Sequence, residues 1–228
     1  MTTRLNVADL IGTRARSLAE YAPEPLSAVA GRLGIPEERL IKLDANENPY
    51  GPAEAARRAL ATHDGYHRYP DAISRDLRAA LAEHLGVDAK RIVVGNGSDE
   101  LIDLLLKVLR PGPDGGGVGE VINCPPTFGM YRFYALSHDV PVVDVPRLAD
   151  FAVDADAIEA LVGSDPRPRL LFLATPNNPD GRAVPDEILD RLLDLPLLVV
   201  LDEAYVEFGA CSRVGLVGER ENLVVLRT

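Results

Sequence analysis

The chain has 228 residues, 46% hydrophobic and 26% charged, enough apolar material for a substantial core in one or two domains. Its net charge of −11 excludes a general nucleic-acid surface, which needs a basic stripe. No run approaches ~18 consecutive apolar residues, which excludes an apolar membrane-spanning helix. Cys124 and Cys211 are too few for a disulfide framework, so a reducing cytoplasm is expected. The opening segment lacks an apolar stretch with a small-residue cleavage site, so no secretory signal is expected.

In chain order, residues 1 to about 40 read as helical pieces broken by Pro23, Pro25 and Pro36, with a helix at 26–33 stopped by Gly34. Residues 1–45 are expected to form an arm, and 46–228 the main domain. KLDANENPYGP at 42–52 disfavours regular structure and reads as a defined turn. A helix at 53–62 precedes HRYPD at 67–71, a second proline-fixed loop. The stripe of Leu77, Leu81 and Leu85 marks an amphipathic helix over 73–85.

From residue 91 the pattern alternates. Strands are expected at 91–94, 118–123, 140–145, 170–174, 197–201 and 222–227, with helices at 99–109, after 131, and near 155–161 and 185–193. Strands alternating with helices at this spacing predict βαβ units and an α/β fold with a mostly parallel sheet flanked by helices. Ligands of such sheets bind at the carboxyl ends of the strands, so the loops found there carry the functional reading.

The last of these loops follows LLVVL at 197–201, an apolar run fit for a strand buried on both faces. It ends abruptly in Asp202 and Glu203, with Tyr205 close behind. Residues 95–98, GNGS, follow a predicted strand and open a helix, so backbone N–H groups and the helix dipole would face an anion. A capped helix start without a ligand fits equally well. A dinucleotide fingerprint would need a third glycine where Glu100 stands. LLVVLDE looks like a Walker B strand, but Lys42, Lys90 and Lys107 follow no phosphate loop, so a nucleotidase is excluded. His63, His67, His84 and His138 show no paired ligand spacing, and no metal site is expected. TPNNPDG at 175–181 holds Asn178 between two prolines, and CPPTFGMY at 124–131 adds Phe128. A phosphate cradle, an aromatic ring, an amide and a carboxylate–tyrosine pair together match the needs of pyridoxal 5′-phosphate (PLP).

With LDANENPYGP at 43–52, HRYPD, GNGSDELID at 95–103 and LDEAYVEF at 201–208, these motifs stand in an order that resembles the fold-type I PLP-dependent aminotransferases. The resemblance is nearest to members that transaminate L-histidinol phosphate with 2-oxoglutarate in histidine biosynthesis. Aromatic amino-acid aminotransferases and a phosphothreonine decarboxylase share the cofactor motifs. By position, the resemblance implies that Asp202 pairs with the pyridinium nitrogen and that Asn178 and Tyr205 hydrogen-bond the ring oxygen O3′. It further implies that Phe128 stacks on the ring, and that Gly97, Ser98 and Asp99 bind the phosphate. Tyr69 would reach a phosphate across a homodimer interface, and Tyr21 and Asn46 would contact substrate. Asp180 stands where Thr or Ser is usual and receives no role.

The family's Schiff-base lysine follows a strand ending in LRT-x-S-K. This sequence reads VLRT at 225–228, and none of its three lysines matches that position. The expectation is an N-terminal portion of the large domain, incomplete at its C-terminus, which does not transaminate by itself. The rival from another class is a non-catalytic PLP-binding or partner-binding module.

Overall fold

Parallel strands joined by crossover helices are buried on both faces, and their apolar runs set the framework seen in the computed structural model. It describes residue 6 and residues 10–18, 24–112, 114–165, 167 and 169–228. The helices are α1 (Leu26–Leu33), α2 (Glu54–Thr62), α3 (Arg75–Leu85), α4 (Gly97–Leu109), α5 (Met130–Ser137), α6 (Ala155–Ser164) and α7 (Asp186–Leu193). The strands are β1 (Glu120–Asn123), β2 (Val142–Asp144), β3 (Arg169–Ala174), β4 (Leu197–Asp202) and β5 (Leu223–Leu226). All neighbouring pairs are parallel, in the order β2-β1-β3-β4-β5.

Side chains of a strand alternate between the faces of the sheet, and each face here has its own core. Leu171 and Leu173 pack with Val199, Leu201 and the α6–α7 residues Ile158, Leu189 and Leu192. Leu170 and Phe172 pack on the other face with Val200 and the α4–α5 residues Ile102, Leu106 and Tyr131. The register aligns the functional ends: Ala174 pairs with Asp202, and Asp202 with Leu226. Thr175 N–H donates to the Asp202 carbonyl at 2.8 Å, so the 175–181 loop starts level with the acidic end of β4.

The expected strand at 91–94 does not form. Ala89–Arg91 is a 3₁₀ turn, and Ile92 is extended (φ −104°, ψ 128°) but pairs with no strand. An extended segment becomes a strand only through a ladder partner. Residues 92–95 instead line a cleft of about 560 Å³ together with the outer edge of β5 and part of α3. The helix expected from 99 begins two residues earlier, at Gly97, so the glycine lies inside its first turn.

The chain divides into two compact units, residues 1–18 with 73–228, and residues 19–72. In the smaller one, Gly34 ends α1 in the left-handed region at φ 66°. Asn48 builds the expected turn there: its side chain accepts from Tyr50 N–H at 3.0 Å and donates to the Gly51 carbonyl at 3.1 Å. Of residues 24–72, Ala30 alone is buried. Among the described residues no helix is long and apolar enough to cross a membrane.

Candidate cofactor-binding site

The site forms where the ends of β1, β3 and β4 meet the start of α4. Asp202, the last residue of β4, is 4% exposed. Its Oδ2 accepts from the Tyr131 hydroxyl at 2.7 Å and its Oδ1 from Ala204 N–H at 3.0 Å. Burial pushes the Asp202 carboxyl above its ordinary range; the two donors pull it back, and the nearby Asp99 charge adds to the rise.

Tyr131 belongs to the first turn of α5 and is fully buried. Its ring lies face to face with Phe172 of β3, centroids 4.8 Å apart and planes 4° apart. Phe128 meets it edge-on at 5.5 Å. Burial and the Asp202 charge push the Tyr131 phenol well above its ordinary value, so its hydroxyl stays a donor.

At the start of α4, Gly97 takes φ +74°, which a side chain would strain. The Glu100 carboxylate accepts from Asn96 N–H and, at 3.0 Å, from the Asn96 side-chain amide, and so pins the loop. First-turn N–H groups of a helix have no acceptor within the helix, which leaves those of Ser98 and Asp99 for a ligand. Asp99 Oδ1 is buried without a partner among the described residues, and burial raises its pKa. A cleft of about 330 Å³ opens here, lined by Asn96–Asp99, Phe128, Ala204, Tyr205 and Thr228. That is the low end of small-ligand pockets, roughly 300–1,000 Å³.

The 175–181 loop is fastened by Asn177 rather than Asn178. Asn177 is 2% exposed; its amide donates to the Pro126 carbonyl at 3.1 Å and to the Asp180 carboxylate, and its oxygen accepts from Thr127 at 2.9 Å. Asp180 also accepts from Arg182 N–H at 2.9 Å, so the residue given no role from sequence is a loop fastener. Asn178 remains half-buried beside it. Glu203, wholly buried, accepts from Ser212 Oγ at 2.6 Å, Arg213 N–H at 2.5 Å and Arg227 at 3.5 Å.

The structure thus gathers Gly97, Ser98, Asp99, Phe128 and Tyr205 around one cleft; Asp202 lies two residues before its Ala204–Tyr205 wall, and neither it nor Asn178 lines the cleft. Asn46 (φ 52°) and Tyr69 are both exposed and belong to the smaller unit. Tyr21 lies outside the described residues. Sequence reasoning missed Tyr131, Asn177 and Glu203. The one available signal was spacing: Tyr131 follows Phe128 at a helix start, where both can face one core. Among the described residues no group of three or more His, Cys, Asp or Glu side chains is placed to hold a metal ion.

The residues fit a phosphate-bearing heteroaromatic group. The open first-turn N–H groups suit the anion, and a buried carboxylate suits a ring N–H. A parallel sheet with these features at adjoining strand ends defines an α/β cofactor-binding domain. The chain matches aminotransferase class I and II over residues 38–228, and it belongs to that family. It is 48% identical over 230 residues to the histidinol-phosphate aminotransferase of Roseiflexus castenholzii, a match covering 98% of this chain and 60% of that protein. Identity is also 48%, over 214 residues, to the chloroplastic histidinol-phosphate aminotransferase of Nicotiana tabacum, covering 92% of this chain and 50% of that one. The structure of histidinol-phosphate aminotransferase from Sinorhizobium meliloti in complex with pyridoxal-5′-phosphate has a TM-score of 0.77 at 27% identity, covering 95% of this chain and 57% of that chain. The chain spans 50–60% of the length of these curated relatives.

Proposed function

We propose that this chain carries the cofactor-binding part of a PLP-dependent aminotransferase. The full-length protein would move an amino group between L-histidinol phosphate and 2-oxoglutarate in histidine biosynthesis. The observation that carries this reading is a cleft edged by open helix N–H groups, Phe128 and Ala204–Tyr205, with the buried, doubly hydrogen-bonded carboxylate of Asp202 two residues before that wall. When bound, PLP supplies an electron sink whose pyridine ring draws charge from the reacting carbon. Asp202 would hold the proton on the ring nitrogen. Phe128 would pack against the ring, Asn178 and Tyr205 would hydrogen-bond its O3′, and the N–H groups of Ser98 and Asp99 would hold the phosphate. Residues 46–228 would be the large, PLP-binding domain and residues 1–45 an arm. Tyr21 and Asn46 would meet substrate.

No lysine lines the cleft. Lys42 lies in the smaller unit, Lys90 in a 3₁₀ turn, and Lys107 near the end of α4. The 228-residue chain alone is therefore proposed not to transaminate.

We infer a homodimer in which Tyr69 reaches the partner's phosphate site. Its support is the exposure of Ile41 and Leu43 (83% each), Tyr50 (95%) and Tyr69 (101%) in the smaller unit. Two unpaired cysteines, one buried and one exposed, support a reducing compartment such as the cytoplasm. Rates of the full-length protein with histidinol phosphate and with phenylalanine test the substrate. A preference for histidinol phosphate is expected, and a preference for phenylalanine would move the protein to the aromatic aminotransferases.

A further inference from the structure

We propose that Tyr131 is a positioning residue for Asp202: its hydroxyl holds the Asp202 carboxylate ionised and in one orientation before any ligand arrives. A carboxylate only 4% exposed favours its neutral form unless donors hold the charge. Asp202 has two such donors, and Ala204 N–H, two residues along the same turn, is a backbone group that any residue would supply. The Tyr131 hydroxyl, 2.7 Å from Oδ2, is the donor that the side-chain sequence decides.

Its geometry is fixed from several sides. The ring lies flat on Phe172 of β3 and against the edge of Phe128, which itself lines the cleft. The hydroxyl cannot swing away without parting these rings. The ionisable groups around the pair are few. Asp99, in α4, raises Asp202. Tyr205, after β4, opposes ionisation of Tyr131, and Arg147, beyond β2, favours it. None of these replaces the missing bond if Tyr131 is lost, because each acts through space. Phe128 and Tyr131 thus work as one device, one covering the cleft and the other setting the acid behind it. The consequence for a pyridine nitrogen rests on the aminotransferase reading, whereas the ionisation of Asp202 does not.

The test is Tyr131→Phe in the 228-residue chain, with the Asp202 side-chain carbon followed by NMR between pH 3 and 8. The pKa of Asp202 is expected to rise by about one unit or more, since hydrogen bonds to charged groups contribute on that scale. An unchanged titration in a folded variant would overturn the proposal, because a merely structural role would lower the melting temperature without moving it. PLP titrations over the same range separate the two readings. If the parent chain binds no PLP but the carboxyl still shifts, the proposal that this chain by itself holds PLP fails and the Tyr131 inference stands. If both proteins bind PLP with the same pH dependence and the carboxyl does not move, the inference fails alone. Should the variant not fold, the parent chain decides. A slowly exchanging, downfield hydroxyl proton that vanishes as Asp202 protonates is expected, and its absence would contradict the proposal.

Discussion

At Asp202, burial raises the acid's pKa while the role proposed for it needs its charge, so the proposed function and stability pull in opposite directions. The folded pKa lies above the ordinary value of 3.8, so the stability this group contributes is fully present below that value. It is lost as pH rises through the native titration. Asp202→Asn cannot ionise and can satisfy only one of the two donors, so the pH dependence carries the test: the variant's melting temperature relative to the parent's is expected to fall between pH 7 and pH 4. Calorimetry showing the same difference at both pH values, or a smaller deficit near pH 4, would contradict this. Sequence reading reached Asp202 because an apolar run ends abruptly in acid. It did not reach Tyr131, whose contact spans 71 positions and depends on how α5 packs on β3. Nor could it tell Asn177 from Asn178, since adjacent amides look alike until the loop's path decides which is buried.

The elements around the site are joined by polar staples that local pattern does not announce. Glu203 ties the end of β4 to Ser212, Arg213 and Arg227, and Arg227 also pairs with Glu207. Leaving those donors without the buried acid costs on the scale of broken buried ion pairs. Glu203→Ala is expected to lower stability by about 3 kcal/mol in urea unfolding. A loss below about 1 kcal/mol would mean that solvent replaces the acid. The strands β1 to β5 were legible from their apolar runs, although β1, β2 and β5 are shorter than their runs suggested. The run at 91–94 has the same composition and still forms no strand. Pairing is a property of neighbours, and the edge of β5 is separated from it by the 560 Å³ cleft.

For the whole molecule, alternation of strands and helices was enough to give the parallel sheet, and the position of the loops at its carboxyl edge followed from that topology. In the smaller unit the helices at 26–33 and 54–62 and the turn at Asn48 were legible, but the placing of its apolar side chains was not. Its turns are fixed by Asn48 and Gly34, but its apolar side chains face solvent, and partner burial cannot be read from periodicity. If a second copy covers them, the chain should sediment at about twice 24.6 kDa, and Tyr69→Ala should leave that mass unchanged while weakening phosphate-dependent ligand binding. Sedimentation at 24.6 kDa across micromolar concentrations would contradict the dimer.

PLP is proposed to bind in the cleft between the start of α4 and the end of β4. Titrating the chain with PLP, alone and against inorganic phosphate, tests it most directly, with Asp202→Ala measured beside the parent. Saturable binding is expected, which phosphate competes away and Asp202→Ala weakens at least about tenfold, the scale of one charge-assisted hydrogen bond. Binding that does not saturate, or that is equal in the variant, would contradict it.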